Sequence, residues 1–117
     1  MKLKLFQIDA FTSTVFSGNP ACVVPLDYWL DDNTLLEIAK ENAVAETAFF
    51  TKKDDDFHLR WFTPDIEMDL CGHATLATAH CILHEHRYNK NKVVFESMSG
   101  RLEVERVNND YQMILPA

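Results

Sequence analysis

Three consecutive residues, Cys71, Gly72 and His73, lie directly before a long apolar segment that predicts a helix. The start of a helix exposes unpaired backbone N–H groups and a partial positive charge, which together bind an anion such as a carboxylate. Glycine lets a ligand approach the backbone closely, a helix start is expected to lower the pKa of a thiol, and an imidazole can move protons. The residues equally fit a tight turn with a buried cysteine and a capping histidine. A nucleophilic Cys71 assisted by His73 is a weaker alternative, because adjacency in sequence does not establish the required hydrogen bond.

Glu46 stands alone in the otherwise apolar segment from Val44 to Phe50. Burial among such neighbours disfavours the charged form of a carboxylate, which suits general acid/base chemistry near neutral pH. Charged residues also begin strands often, with their side chains in solvent. The sequence therefore leaves two interpretations open for Glu46, an acid/base residue or a solvent-facing residue at a strand start.

Asn19 lies in the segment Ser17-Gly18-Asn19-Pro20, which is typical of a turn. Its side-chain amide could hydrogen-bond a polar substrate, while Gly18 and Pro20 shape the loop. Turn chemistry alone also explains the tetrapeptide.

A metal site is a separate alternative, because His80 and His84 are four residues apart on the predicted helix, with Cys71, Cys81 and His86 nearby. No glutamate occupies the second position of an H-E-x-x-H motif, and no C-x-x-C pair is available. No glycine-rich segment resembles a phosphate-binding loop. We therefore expect neither a metal nor a cofactor.

The elements that would position these residues are several strands and one central helix. Apolar or small residues recur on every side of the segment after His73, which is typical of a buried helix. The pattern predicts a first helix from about Asp31 to Ala43, and a strand pair around a charged turn at residues 52–56. This composition predicts an α+β fold, with a sheet curled around the buried helix. The predicted strands are residues 3–9, 21–24, 46–51, 57–63, 92–96, 101–106 and 111–115.

The composition fits one compact domain, residues 1–117, because 47% of the 117 residues are hydrophobic and 25% are charged. The net charge of −7 disfavours nucleic acid as a partner. The three cysteines form no paired framework, and no apolar run approaches the roughly 20 residues of a membrane helix. The N-terminus alternates charged and apolar residues, unlike a signal peptide, so we expect a cytoplasmic protein without a membrane partner.

Read in order, four segments resemble the phenazine-biosynthesis PhzF-like family. Four motifs in family order and at family spacing are more specific than any one of them, and the resemblance covers essentially the whole chain. The segments are Asp9-Ala10-Phe11-Thr12 with Phe16-Ser17-Gly18-Asn19-Pro20-Ala21, Ala45-Glu46-Thr47-Ala48-Phe49, Arg60-Trp61-Phe62-Thr63-Pro64, and Leu70-Cys71-Gly72-His73-Ala74-Thr75.

The resemblance implies the diaminopimelate-epimerase fold, in which each of two similar domains is a curved, mostly antiparallel sheet wrapped around a central helix. It implies a cofactor-independent isomerase that shifts a proton between carbons of a small carboxylate substrate. Glu46 matches the family's acid/base glutamate and His73 its motif histidine. Asn19, Cys71, Gly72 and Ala74 are the expected substrate-binding residues, with Cys71 lining the site.

Members of the family are roughly twice this long, so the resemblance implies an N-terminal domain that lacks its C-terminal counterpart. The missing half would be supplied by a complementary chain or by a second copy in a homodimer. The alternative function is a non-catalytic module that binds a small carboxylate or associates with itself.

Overall fold

The computed structural model describes residues 6–8, 21–42, 46–69, 71–85, 91–107 and 110–114. Two helices are present in these ranges, α1 over Asp32–Asn42 and α2 over Gly72–Glu85. Eight strands occur in the same ranges. They are β1 (Phe6–Ile8), β2 (Ala21–Leu26), β3 (Glu46–Lys53), β4 (Asp56–Phe62), β5 (Glu67–Met68), β6 (Lys92–Ser97), β7 (Gly100–Val107) and β8 (Asp110–Ile114).

All the strands of the described residues belong to one sheet, in the order β1-β2-β3-β4-β6-β7-β8, with β5 pairing on β4. Two pairs, β2 with β3 and β4 with β6, are parallel, and the other described pairs are antiparallel. The predicted α+β class with a mostly antiparallel sheet is confirmed.

Helix α2 lies inside the curve of this sheet and contacts β1, β2, β3, β6, β7 and β8. Ala74, Ala77, Ala79, Cys81 and Ile82 are each at most 1% exposed, and they point in several directions around the helix. A helix that is apolar all round is stable only when enclosed, which is why the segment predicted a buried helix. The prediction of a central buried helix is confirmed.

The two faces of the sheet carry separate apolar clusters, and strand β3 contributes to both. Ala48 and Phe50 pack on the inner face with α2, whereas Phe49 packs on the outer face with Leu35 and Ala39 of α1. Side chains alternate between faces along a strand, so Glu46 shares the inner face with Ala48 and Phe50.

Helix α1 begins as its sequence predicts. The Oδ1 atom of Asp31 accepts a hydrogen bond from the backbone N–H of Thr34 at 2.7 Å, and the Asp31 carbonyl accepts one from Leu35 at 3.1 Å. These contacts satisfy two of the backbone donors that a helix start leaves free.

The β3–β4 hairpin is confirmed, but its turn is tighter than residues 52–56 suggested. The strands remain paired up to Lys53 and Asp56, which leaves Asp54 and Asp55 as the turn. Asp54 has a φ of 55°, in the left-handed region that Asp tolerates better than most residues. The charged side chains of the run therefore belong largely to the strand ends.

No helix in the part of the chain that the structure describes combines the length and apolar character needed to cross a bilayer.

Candidate functional site

Cys71 is the N-cap of α2. Its carbonyl accepts hydrogen bonds from the backbone N–H of Thr75 at 3.0 Å and from the Thr75 hydroxyl at 2.7 Å. Its sulfur accepts hydrogen bonds from the backbone N–H groups of His73 and Ala74. These are the contacts that the side-chain oxygen of Ser, Thr, Asp or Asn makes at most helix starts. The thiol therefore lies at the positive end of the central helix.

Trp61 of β4 holds the Cys71 cap in place through Thr75. Its Nε1–H donates a hydrogen bond of 3.0 Å to the Thr75 hydroxyl, which itself donates to the Cys71 carbonyl. Trp61 and Thr75 are both 0% exposed. Trp61 pairs in the sheet with Ala48, two residues after Glu46. The chain of contacts thus links the strand that carries Glu46 to the start of α2.

Glu46 lies at the first position of β3, on the inner face of the sheet, and pairs with Ala21. Its side chain is half-buried. The carboxylate acts electrostatically on the Cys71 thiol, which requires the two groups to be near each other. The Oε2 atom of Glu46 is buried, and no described residue donates a hydrogen bond to it. A solvent-facing residue at a strand start does not have these properties, so that interpretation of Glu46 is wrong.

The other predicted site residues lie in the first turn of α2, with one exception. Gly72 and His73 are half-buried, and Ala74 is 0% exposed, so that its side chain faces the core. A Cβ atom on Gly72 would lie 3.1 Å from the terminal methyl group of Met113. Glycine at this position therefore allows strand β8 to pack close to the helix start. Asn19 lies outside the described residues.

The expected low pKa of the Cys71 thiol is wrong. Burial raises the pKa, the hydrogen bonds from the Ala74 and His73 backbone lower it, and the negative charge of Glu46 raises it again. The net change is upward, because removal of the thiolate from water outweighs stabilisation by the helix start. Cys71 is therefore a neutral thiol near pH 7.

Comparison with known proteins identifies the family of this chain. A family model described as phenazine biosynthesis-like protein, PhzC-PhzF, matches residues 8–115. The chain belongs to this family. An uncharacterized isomerase of Pseudomonas aeruginosa is 50% identical over 117 residues, which are 100% of this chain and 45% of that protein. Several relatives of this phenazine biosynthesis-like chain are thus named isomerases.

Solved structures of the phenazine biosynthesis-like family have the same fold. The crystal structure of a PhzF family protein from Enterococcus faecalis matches with a TM-score of 0.88 and 43% identity, covering 95% of this chain and 43% of that one. A predicted epimerase of Pseudomonas aeruginosa matches with a TM-score of 0.71 and 24% identity, covering 94% of this chain and 41% of that one. This second likeness shows the epimerase-type fold alone. The chain spans less than half the length of these relatives.

The metal alternative receives no support from the described part of this phenazine biosynthesis-like chain. No group of three or more His, Cys, Asp or Glu side chains in that part could hold an ion. The Nδ1 atom of His80 lies 2.8 Å from the Tyr111 hydroxyl. The side chain of His84 and the whole of His86 lie outside the described residues.

Two contacts that hold the segment before Cys71 were not foreseen from the sequence. Arg60 of β4 binds Glu67 of β5 through two hydrogen bonds, Nε to Oε2 at 2.7 Å and Nη2 to Oε1 at 2.8 Å. The hydroxyl of Ser99 donates a 2.6 Å hydrogen bond to the Asp69 carbonyl. Arg60 belongs to one of the segments that resemble the family, and this was the only sequence feature that marked it as important. No local pattern marked Ser99, which lies 30 residues from its acceptor.

The alkylation rate of Cys71 tests whether Glu46 lies beside it. We expect slow reaction with iodoacetamide near neutral pH and a rate that still rises with pH above about 9, because a raised pKa leaves little thiolate. Glu46→Gln removes the charge that raises the Cys71 pKa, so alkylation near pH 8 should become about two- to tenfold faster. Mass spectrometry of the cysteine peptides measures the rates.

Cys22 is the internal control for this experiment, because burial alone raises the pKa of its thiol. Its rate should be equal in the two proteins. An unchanged Cys71 rate in Glu46→Gln would show that the carboxylate does not act on the thiol.

Proposed function

We propose that this chain carries the acid/base half of a cofactor-independent isomerase, which shifts a proton between carbons of a small carboxylate substrate. The observation that carries the proposal is the position of the Glu46 carboxylate, on the inner face of the sheet beside the Cys71 cap of α2. The isomerase names of family members support the reaction class.

The substrate's carboxylate would bind at the start of α2, where the backbone of Gly72 and His73 and the helix dipole favour an anion. The neutral Cys71 thiol adds no negative charge there, so it does not repel the substrate. Asn19, through its amide, and Ala74 complete the proposed substrate-binding residues.

The Glu46 carboxylate would take a proton from an activated C–H bond and return it to another carbon. Its buried Oε2 atom receives no hydrogen bond from a described residue, so it is available to accept this proton. The protonated Glu46 then gives the proton back, and the reaction consumes no redox equivalent. His73 would stabilise or relay the charge that develops on the substrate.

We propose that residues 1–117 form the N-terminal half of a two-domain unit, whose second half closes the cleft over α2. A complementary C-terminal half or a second copy of this chain would supply the other side of that cleft. The share of the relatives that the chain covers, 43–45%, supports this arrangement.

Solvent-deuterium exchange tests the proposed reaction. The protein is incubated in D2O with a panel of small carboxylic acids that carry an activated C–H bond, alone and together with the remaining half of a family member. We expect deuterium to enter the carbon skeleton of at least one acid, as detected by NMR. Binding of an acid without exchange would support the alternative, a non-catalytic carboxylate-binding module, and would contradict the isomerase.

A further inference from the structure

A second polar cluster lies on the inner face of the sheet, about two helical turns along α2 from the Cys71 cap. It consists of Arg106 on β7, Tyr111 on β8 and His80 on α2. Arg106 and Tyr111 are paired across the two strands. Arg106 follows Leu102 and Val104, both 0% exposed, at alternate positions, so its side chain points to the same inner face.

The cluster is connected by hydrogen bonds through Tyr111. Arg106 donates a hydrogen bond to the Tyr111 side chain, and the Tyr111 hydroxyl lies 2.8 Å from Nδ1 of His80. The two rings pack edge to face, with centroids 5.8 Å apart. Burial raises the pKa of the Tyr111 phenol, while Arg106 acts in the opposite direction. The phenol is therefore neutral and adds no negative charge to balance Arg106.

Two donor atoms of Arg106, Nε and Nη2, lack an acceptor among the described residues. Both atoms are buried. Buried guanidinium N–H groups without acceptors are unfavourable, because neither water nor a protein acceptor replaces their lost hydration. Nε and Nη2 form one edge of the guanidinium plane, the edge that binds both oxygens of a carboxylate.

Arg60 of the same chain binds a carboxylate through this edge of its guanidinium. Its Nε and Nη2 atoms bind the two carboxylate oxygens of Glu67 at 2.7 and 2.8 Å. The same two atoms of Arg106 are buried and bind no carboxylate of the described residues. Arg106 and Tyr111 are only half-buried, so the cluster lies just beneath the surface.

We propose that Arg106 binds a carboxylate through its Nε–Nη2 edge, at an anion site separate from the one at the start of α2. The carboxylate comes from outside the chain, either from a free small acid or from an acidic side chain of a second copy. Phosphate would also neutralise the positive charge of Arg106, but the planar guanidinium edge favours a planar carboxylate.

The Nε–H NMR signal of Arg106 reports directly on this contact. In the ¹⁵N-labelled 117-residue chain, the signal is identified by its loss in Arg106→Lys, which keeps the charge but lacks the planar edge. Acetate is then titrated against sodium chloride at matched ionic strength, and the protein is separately diluted. A saturating shift with acetate identifies a free acid, and a shift on dilution identifies a second copy.

The Arg60 signal, identified by Arg60→Lys, is the matched control, because Glu67 already occupies its edge. It should move with neither acetate nor dilution. If Arg106→Lys does not fold, Arg106→Met and through-bond assignment identify the same signal. An Arg106 signal that responds to neither treatment would overturn the proposal, because a carboxylate of the chain itself or none would then be in contact.

Discussion

Glu46→Gln is expected to lower the rate of proton exchange at the substrate carbon by about 10²- to 10⁴-fold, the usual contribution of a general acid/base. Glutamine has the shape of glutamate but cannot take a proton from carbon. The carboxylate acts on the Cys71 thiol electrostatically, and its Oε2 atom receives no hydrogen bond from a described residue, so the substitution breaks no hydrogen bond at that atom. The substitution should therefore lower kcat and change KM little.

The measurement is deuterium incorporation in a protein that carries both halves, with whichever acid the wild type exchanges. Glu41→Gln is the matched control, because Glu41 is an exposed residue of α1, outside the inner face of the sheet. It should exchange at the wild-type rate. The free energy of unfolding of Glu46→Gln should stay within about 1 kcal/mol of the wild type. Retained exchange in a folded Glu46→Gln protein would remove Glu46 from the acid/base role.

The local elements of this fold were predictable because each has a local cause. The apolar residues on every side of Gly72–Glu85 indicated an enclosed helix, and Asp31 indicated where α1 starts. The order of the strands was not predictable in the same way. Strand β6 pairs not only with its sequence neighbour β7 but also with β4, and the β4–β6 pairing depends on contacts between distant segments. Strand β5 has two residues, too few to show a period.

The residues of the candidate site could be proposed from the sequence, but the direction of the Cys71 pKa shift could not be predicted from it. The position of Cys71 before an apolar helix indicated an anion-binding start, and the structure places the thiol there. The predicted decrease in the Cys71 pKa was wrong, because the burial of the thiol depends on how β3 and β8 pack around the helix. Glu46 remained ambiguous in sequence for the same reason. Only the alternation of β3, fixed by Ala48 and Phe50 on α2, turns its carboxylate inward.

Trp61 is the residue whose truncation should most reduce stability. It is 0% exposed, packs in the cluster around α2, and donates the 3.0 Å hydrogen bond that holds Thr75. Trp61→Ala should lower the free energy of unfolding by about 3–5 kcal/mol, the usual cost of removing a large buried aromatic side chain. That is a large part of the roughly 5–15 kcal/mol that stabilises a typical domain. Urea unfolding measures the change.

Trp61→Phe separates the packing of the ring from its hydrogen bond, since it keeps an aromatic ring and loses the Nε1–H donor. Thr75→Val removes the acceptor and leaves the Trp61 donor buried without a partner, which should cost about 1–3 kcal/mol. If the contact matters as a pair, the double variant will lose less stability than the two single changes together, by about 0.5–3 kcal/mol. Strictly additive losses would show that Trp61 supports the cap of α2 through packing alone. In that case the link between the strand of Glu46 and the Cys71 carbonyl would not depend on the hydrogen bond.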